Sequence, residues 1–168
     1  ANEAFPLNIG YVGAHCKERF GPRVELTLFK YIDDLESSMR SSPPDILALS
    51  NYPWNHALDL ALFEAMRDIR PETLRVMGGS NISHEANLQS EFLMKNEIVD
   101  IYVYLEGEVG FSNIVERVLQ EEEPNLERSF IKNASIGGCL FIDSTGKFVR
   151  GQPIPRLKAL DEFPSPYL

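Results

Sequence analysis

The sequence lacks any long hydrophobic run. No stretch of the 168 residues approaches the roughly 18–20 consecutive apolar residues that cross a bilayer. The first residues also lack the basic-then-apolar layout of a secretory signal. Hydrophobic residues make up 43% and charged residues 24% of the chain, as in a globular domain with a real core. The sequence therefore predicts a cytoplasmic protein with no membrane partner.

Clusters of basic residues are absent as well. The formal net charge is −9 at pH 7, and Lys and Arg form no run. Binding to a polyphosphate backbone requires positive side chains gathered on one face. We therefore expect no nucleic-acid partner.

Cysteine is scarce, since only Cys16 and Cys139 occur and they lie far apart. Two isolated cysteines form neither a disulfide scaffold nor, without other ligands, a zinc or iron–sulfur site. They are predicted to be small buried hydrophobic residues in a reducing compartment.

Motifs for nucleotide chemistry and for independent catalysis are also missing. The chain contains no Walker sequence and no GxGxxG. Its histidines, His15, His56 and His84, are scattered; the last two flank predicted helix starts and are expected at the surface or in caps. No Ser–His–Asp or Cys–His set follows from the sequence. The chain alone is not expected to be catalytic.

What the sequence does contain is a regular alternation of strand-like and helix-like segments. Short apolar runs alternate with amphipathic segments of helical period. Such alternation predicts right-handed crossovers and a doubly wound α/β fold, flavodoxin- or Rossmann-like, with a mainly parallel sheet and helices on both faces. The predicted strands are residues 24–29, 45–50, 74–77 and 99–105, and the predicted helices are residues 33–40, 55–69, 85–95 and 108–120.

The two ends of the chain depart from this strand–helix alternation. Residues 8–12 are compatible with a strand, but a helix from Pro6 to about Phe20 fits better, which would leave a first strand upstream of Ala1. Residues 136–141 and 147–150 flank a Gly-containing loop and predict a hairpin. Residues 153–168 contain four prolines and predict an extended connector. The expected division is an α/β domain over residues 1–124 and a hairpin with connector over 125–168.

Three segments that follow predicted strands are the candidate ligand site. In an open parallel sheet, ligands bind beyond the carboxyl ends of the strands. Each segment also has a structural explanation: an aromatic covering the sheet edge, an Asn55 helix cap, a bare glycine turn, or a carboxylate at a helix start. The candidate cofactor-binding residues are Ser50, Asn51, Tyr52, Trp54, Gly78, Gly79, Ser80, Glu106, Gly107 and Glu108.

The order of these motifs resembles a known family. A strand ending in Ser, a strand ending MGGSN, and then VDIYVYLEGEVGF are similar to the cobalamin-binding domain that precedes the barrel of radical S-adenosylmethionine enzymes. The family pattern D-x-x-V-x-G-E-G-E-x-x-F is matched at Asp100, Val103, Glu106, Gly107, Glu108 and Phe111, whereas Leu105 replaces its first glycine. The segments PLNIGYVGAHCKERFG and IPRLKALDEFPSPYL are similar to the family's first helix and its connector into the barrel.

The resemblance implies a cobalamin-binding module of a radical S-adenosylmethionine enzyme, methyltransferase-like in the full protein. The nucleotide tail would lie in a slot lined by Ser50, Gly78, Gly79 and Ser80, with the corrin near the aromatic pair and the Glu106–Glu108 loop. The chain has no CxxxCxxC and no D-x-H-x-x-G. The [4Fe–4S] cluster and S-adenosylmethionine would therefore belong to a C-terminal radical domain, and no protein histidine is expected on cobalt. The alternative is a flavodoxin-like docking or signalling domain that binds no cobalamin.

Overall fold

A computed structural model describes residues 7–155 as an α/β fold with a single five-stranded sheet. The predicted class is confirmed. The helices are α1 (Leu7–Phe20), α2 (Ile32–Ser41), α3 (His56–Ile69), α4 (Ala86–Lys95), α5 (Gly107–Val118) and α6 (Arg128–Ile131). The strands are β1 (Ile46–Ser50), β2 (Leu74–Gly78), β3 (Ile101–Val103), β4 (Cys139–Ile142) and β5 (Phe148–Arg150).

The strands lie in chain order across the sheet. The β1–β2 and β2–β3 pairs are parallel, whereas β3–β4 and β4–β5 are antiparallel. The predicted hairpin therefore forms, and it continues the main sheet beyond β3. The predicted connector lies largely outside the described residues, which end at position 155.

Helices cover both faces of the sheet, as predicted. One face packs against α2, α3 and α4 through a cluster that includes Met39, Phe63 and Leu93. The other face packs against α5 and α6, with Ile114 and Ile131 fully buried. The α1 helix lies on α5 through Cys16, Phe20 and Val115. Right-handed crossovers between consecutive parallel neighbours place α3 and α4 on the same face.

The prediction of a strand over residues 24–29 is wrong. Val24 has extended backbone angles (φ −129°, ψ 123°), but within the described residues the segment pairs with no strand. Val24 and Leu26 pack against the cluster formed by Cys16, Phe20 and Val115, while Leu28 remains 40% exposed. Alternating β-branched and leucine residues suit a strand, yet the segment is held by side-chain packing and by Lys17, whose ammonium donates to Val24 O.

The helix prediction for the first twenty residues is confirmed from Leu7 onward. Both cysteines are buried, also as predicted. Burial raises the pKa of the Cys16 thiol to about 11 and raises that of Cys139 further, so neither is a ready nucleophile or metal ligand. Among residues 7–155, no helix is long and apolar enough to cross a membrane.

Candidate functional site

The carboxyl ends of β1 and β2 lie side by side, as the sequence predicts. Ser50 is the register partner of Gly78, and the chain continues into Asn51, whose backbone N–H donates to Gly78 O. The two segments that follow these strands are therefore brought together at one edge of the sheet. This edge is the place where ligands bind in open parallel sheets.

A buried polar network lies directly beneath this edge. The Asn51 side chain is fully buried, and its Nδ2 donates to Asp59 Oδ2 at 2.8 Å and lies 3.0 Å from His56 Nδ1. Asn81 Nδ2 donates to Asn51 Oδ1 at 2.9 Å. The network ties the loop after β1 to α3 and to the loop after β2. Burial raises the pKa of Asp59, against the opposing effects of the Asn51 hydrogen bond and the nearby His56.

Gly79 is required by this packing. Its φ is +120°, a backbone conformation that side chains rarely adopt. An added Cβ would lie 2.5 Å from Asn51 O and 3.1 Å from Asn51 N. Any substitution would therefore strain the backbone and push the Asn51 loop away, whether or not a ligand binds.

The aromatic pair after β1 forms a flat exposed platform. The rings of Tyr52 and Trp54 are stacked, with centroids 4.8 Å apart and an interplanar angle of 2°. Trp54 is 80% exposed, so it does not cover the sheet edge. Asn8 Nδ2 donates to Tyr52 Oη at 2.8 Å, which fixes the platform against α1.

Asn55 does not cap α3 with its side chain, although it precedes the helix. Its Oδ1 accepts from Tyr52 N at 2.7 Å, and its Nδ2 donates to Ser50 O at 2.8 Å. The side chain thereby closes the loop between β1 and α3. The result is a fixed backbone under the aromatic platform.

A cavity of about 410 Å³ opens beside the platform. This volume falls within the range of small-molecule and cofactor sites. Its walls come from α1, from the loops after β1, β2 and β3, and from α4. The described lining residues are Asn8, Tyr52, Gly79, Ser80, Ile82, Ser83, His84, Gln89, Tyr104 and Leu105.

The third predicted segment forms the start of α5. Glu106 precedes the helix without a side-chain capping bond, and Glu108 lies in the first turn, where a carboxylate is favoured. Leu105 has φ +65°, the only non-glycine residue with positive φ among residues 7–155. A left-handed backbone favours glycine, which gives a physical reason for the glycine at this place in the related pattern.

The structure thus brings only part of the predicted set to the cavity wall. Tyr52, Gly79 and Ser80 line the cavity, and Trp54 stacks on one of them. Ser50, Asn51 and Gly78 support this edge without lining it. The Glu106–Glu108 segment follows the lining residue Leu105.

Several lining residues were missed by the sequence reasoning. Asn8, Gln89 and Tyr104 belong to α1, α4 and the end of the β3 segment, and no motif marks them. His84 is exposed, as expected, but it also lies on the cavity wall. His56 was expected at the surface or in a helix cap; it is the half-buried first residue of α3, and its Nδ1 lies 3.0 Å from Asn51 Nδ2. Within the described part of the chain, no three His, Cys, Asp or Glu residues form a group that could hold a metal ion.

No protein-family model matches the sequence. The chain is similar to 2-(S-pantetheinyl)-carbapenam-3-carboxylate methyltransferase of Streptantibioticus cattleyicolor, with 32% identity over 126 residues. It is also similar to the cobalamin-dependent radical SAM methyltransferase TokK of Streptomyces tokunonensis, with 30% identity over 125 residues. Each match covers 74% of this chain but only 17% of the relative.

Proposed function

We propose that this chain is the cobalamin-binding module of a radical S-adenosylmethionine methyltransferase. The observation that carries the proposal is the cavity beside an exposed aromatic platform at the carboxyl ends of parallel strands. The similarity to TokK, a cobalamin-dependent radical SAM methyltransferase, supports the choice of cofactor.

The residues present fit such a cofactor in two ways. A stacked, 80% exposed Trp54 offers a flat apolar surface of the kind that packs on a macrocycle. The adjoining cavity has a volume of about 410 Å³ and is lined by hydroxyl, amide and aromatic groups that could bind a side arm of the cofactor. In this arrangement the exposed face of Trp54 would pack on the corrin with Tyr52 stacked behind it, while Gly79 and Ser80 would flank the entering tail.

The chain's own contribution would be binding and orientation. When bound, cobalamin would supply a methyl carrier, and the radical chemistry would belong to a C-terminal domain holding a [4Fe–4S] cluster and S-adenosylmethionine. The Asn51 network and the Asn8–Tyr52 hydrogen bond keep the platform in place before the cofactor arrives. Such preorganisation lowers the cost of ordering the site on binding.

The direct test is retention of hydroxocobalamin through gel filtration, measured by the visible absorption of the protein fraction. We expect retention at near-stoichiometric level. A colourless protein fraction would refute the proposal and favour a docking or signalling domain that binds no cobalamin.

A cavity-filling variant and a matched control make this test specific to the site. Ser80 is exposed and lines the cavity, so Ser80→Trp should fill the cavity without disturbing the core and should abolish retention. Ser144 is exposed in the β4–β5 turn. Because β4 runs antiparallel to β3, this turn lies at the opposite end of the strands from the cavity. Ser144→Trp should retain hydroxocobalamin like the unaltered chain, and equal retention by both variants would show that the site is elsewhere.

A further inference from the structure

Gln89 holds a buried acceptor without a partner at the proposed site. The residue lies in α4, is 1% exposed, and lines the cavity. Its Nε2 donates to Ser83 O at 2.8 Å. Its Oε1 is the only buried side-chain polar atom without a hydrogen-bond partner in the stretch from residue 7 to residue 155.

The orientation of this amide is set by its surroundings. Exchanging the positions of Oε1 and Nε2 would bring two acceptors, Oε1 and Ser83 O, face to face. Nε2 therefore donates to the loop after β2, and Oε1 has no hydrogen-bond partner. Buried polar atoms are nearly always paired in folded proteins, so an exception beside a cavity calls for a functional explanation.

The remaining wall of the cavity indicates which chemistry would satisfy Gln89. None of the described lining residues is an Asp, Glu, Lys or Arg. Asn8, Ser80 and Ser83 contribute neutral polar groups instead. His84, which is exposed, is the one described lining residue that can become a cation. Beside the neutral groups a charged ligand group would lose its hydration for neutral partners, whereas a neutral N–H or O–H donor needs only an acceptor.

We propose that Gln89 is a specificity-determining residue whose Oε1 accepts a hydrogen bond from a neutral N–H or O–H group of the bound ligand. This inference rests on the proposed function for the identity of that ligand. Cobalamin offers two kinds of such donor, the amide N–H groups of the corrin periphery and the hydroxyls of the ribose in its nucleotide tail. Because the acceptor is buried, it discriminates against ligands that place an apolar or anionic group there.

The test compares two corrinoids on the same variants. Gln89→Met keeps the length of the side chain and removes the acceptor, and Gln120→Met makes the same change at an exposed position beyond α5. Dissociation constants for hydroxocobalamin and for cobinamide, which lacks the nucleotide tail, are measured by spectral titration. Thermal melting of each free protein checks the fold.

We expect Gln89→Met to weaken hydroxocobalamin binding about ten-fold, while Gln120→Met leaves it unchanged. A loss confined to hydroxocobalamin assigns the donor to the ribose, and an equal loss for both corrinoids assigns it to a corrin amide. If Gln89→Met does not melt cooperatively, Gln89→Glu replaces it, with hydroxocobalamin titrated at several pH values from 4 to 8. A protonated Glu keeps both the donor to Ser83 O and an acceptor, whereas an ionised Glu loses the donor, so the affinity should approach that of the unaltered chain as the pH falls. A ten-fold loss that is the same at every pH would contradict the assignment.

The failures of the two proposals are distinguishable. An unaltered chain that binds hydroxocobalamin, together with a Gln89→Met variant that binds it equally well, overturns the role of Gln89 alone. An unaltered chain that binds neither corrinoid overturns the proposed function and this inference with it.

Discussion

Replacing Leu105 by glycine should reveal strain that the protein tolerates at the edge of its site. Leu105 has φ +65° and a side chain that is 54% exposed. A side chain in the left-handed region costs roughly 1–2 kcal/mol, which glycine avoids. Glycine in turn raises the entropy of the unfolded chain, at a cost of about 0.4–1 kcal/mol.

The comparison that isolates the backbone term is Leu105→Gly against Leu105→Ala. Both variants lose the same half-buried leucine contacts, but only glycine relieves the positive φ. We expect the glycine variant to be more stable than the alanine variant by about 0.5–1 kcal/mol. Urea unfolding followed by far-ultraviolet circular dichroism measures this difference from the two midpoints and a common slope.

Leu88 provides a control in which the sign reverses. It is 41% exposed and lies inside α4, where the backbone is helical. There the glycine variant should be less stable than the alanine variant by up to about 1 kcal/mol, since Leu88 lies in the first turn of the helix. If Leu105→Gly is also the less stable member of its pair, the left-handed conformation of Leu105 is wrong and the reasoning fails.

Two further changes test the buried charges. Because burial raises the pKa of Asp59, the folded state binds the proton more tightly than the unfolded state, so stability falls as pH rises from the ordinary carboxyl pKa through the raised one. Asp59→Asn keeps an acceptor for Asn51 and removes the titrating carboxyl, so its stability relative to the unaltered carboxyl should increase as the pH rises from 4 to 7. Thermal melts measure this difference, with both proteins carrying His56→Gln so that no histidine titrates beside position 59. A difference that stays constant across this range contradicts the prediction. Asp100→Ala should cost about 3–5 kcal/mol in urea unfolding because it leaves the buried Arg75 guanidinium unpaired, and a cost below about 1 kcal/mol would show that the pair is solvent-screened.

The fold was predictable because its determinants are local in the sequence. Helical periodicity and short apolar runs predict α3, β2 and α5 to within two residues or so of their bounds. The wrong strand at residues 24–29 has a physical cause. Extended residues become a strand only when a neighbouring strand supplies hydrogen-bond partners, and that neighbour cannot be recognised from the segment itself.

Only some residues of the candidate site could be predicted from the sequence, for a related reason. Residues that directly follow strands, such as Tyr52 and Ser80, could be placed because parallel strands end at one edge. Asn8, Gln89 and Tyr104 reach the same cavity from other elements, through side-chain directions that depend on how the helices pack. Their roles are set by tertiary structure, and no spacing in the sequence encodes them.

Two residues that match the family pattern D-x-x-V-x-G-E-G-E-x-x-F, Asp100 and Val103, have structural roles in this fold. Asp100 pairs with Arg75 and Arg128 at the opposite edge of the sheet from the cavity. Val103 packs so closely on α5 that a Cβ on Gly110 would lie 2.6 Å from its Cγ1.

Asp100 and Val103 thus have structural roles of their own, so matching them supports the architecture more strongly than it supports the cofactor. A protein that kept the fold and lost the ligand would keep Asp100, Val103 and Gly110. It would be free to change Trp54, an exposed aromatic, whereas the buried Gln89 also joins α4 to the loop after β2 by donating to Ser83 O. The case for cobalamin in this chain therefore depends on the cavity and on the exposed Trp54 beside it, because the matched positions Asp100 and Val103 already have structural roles.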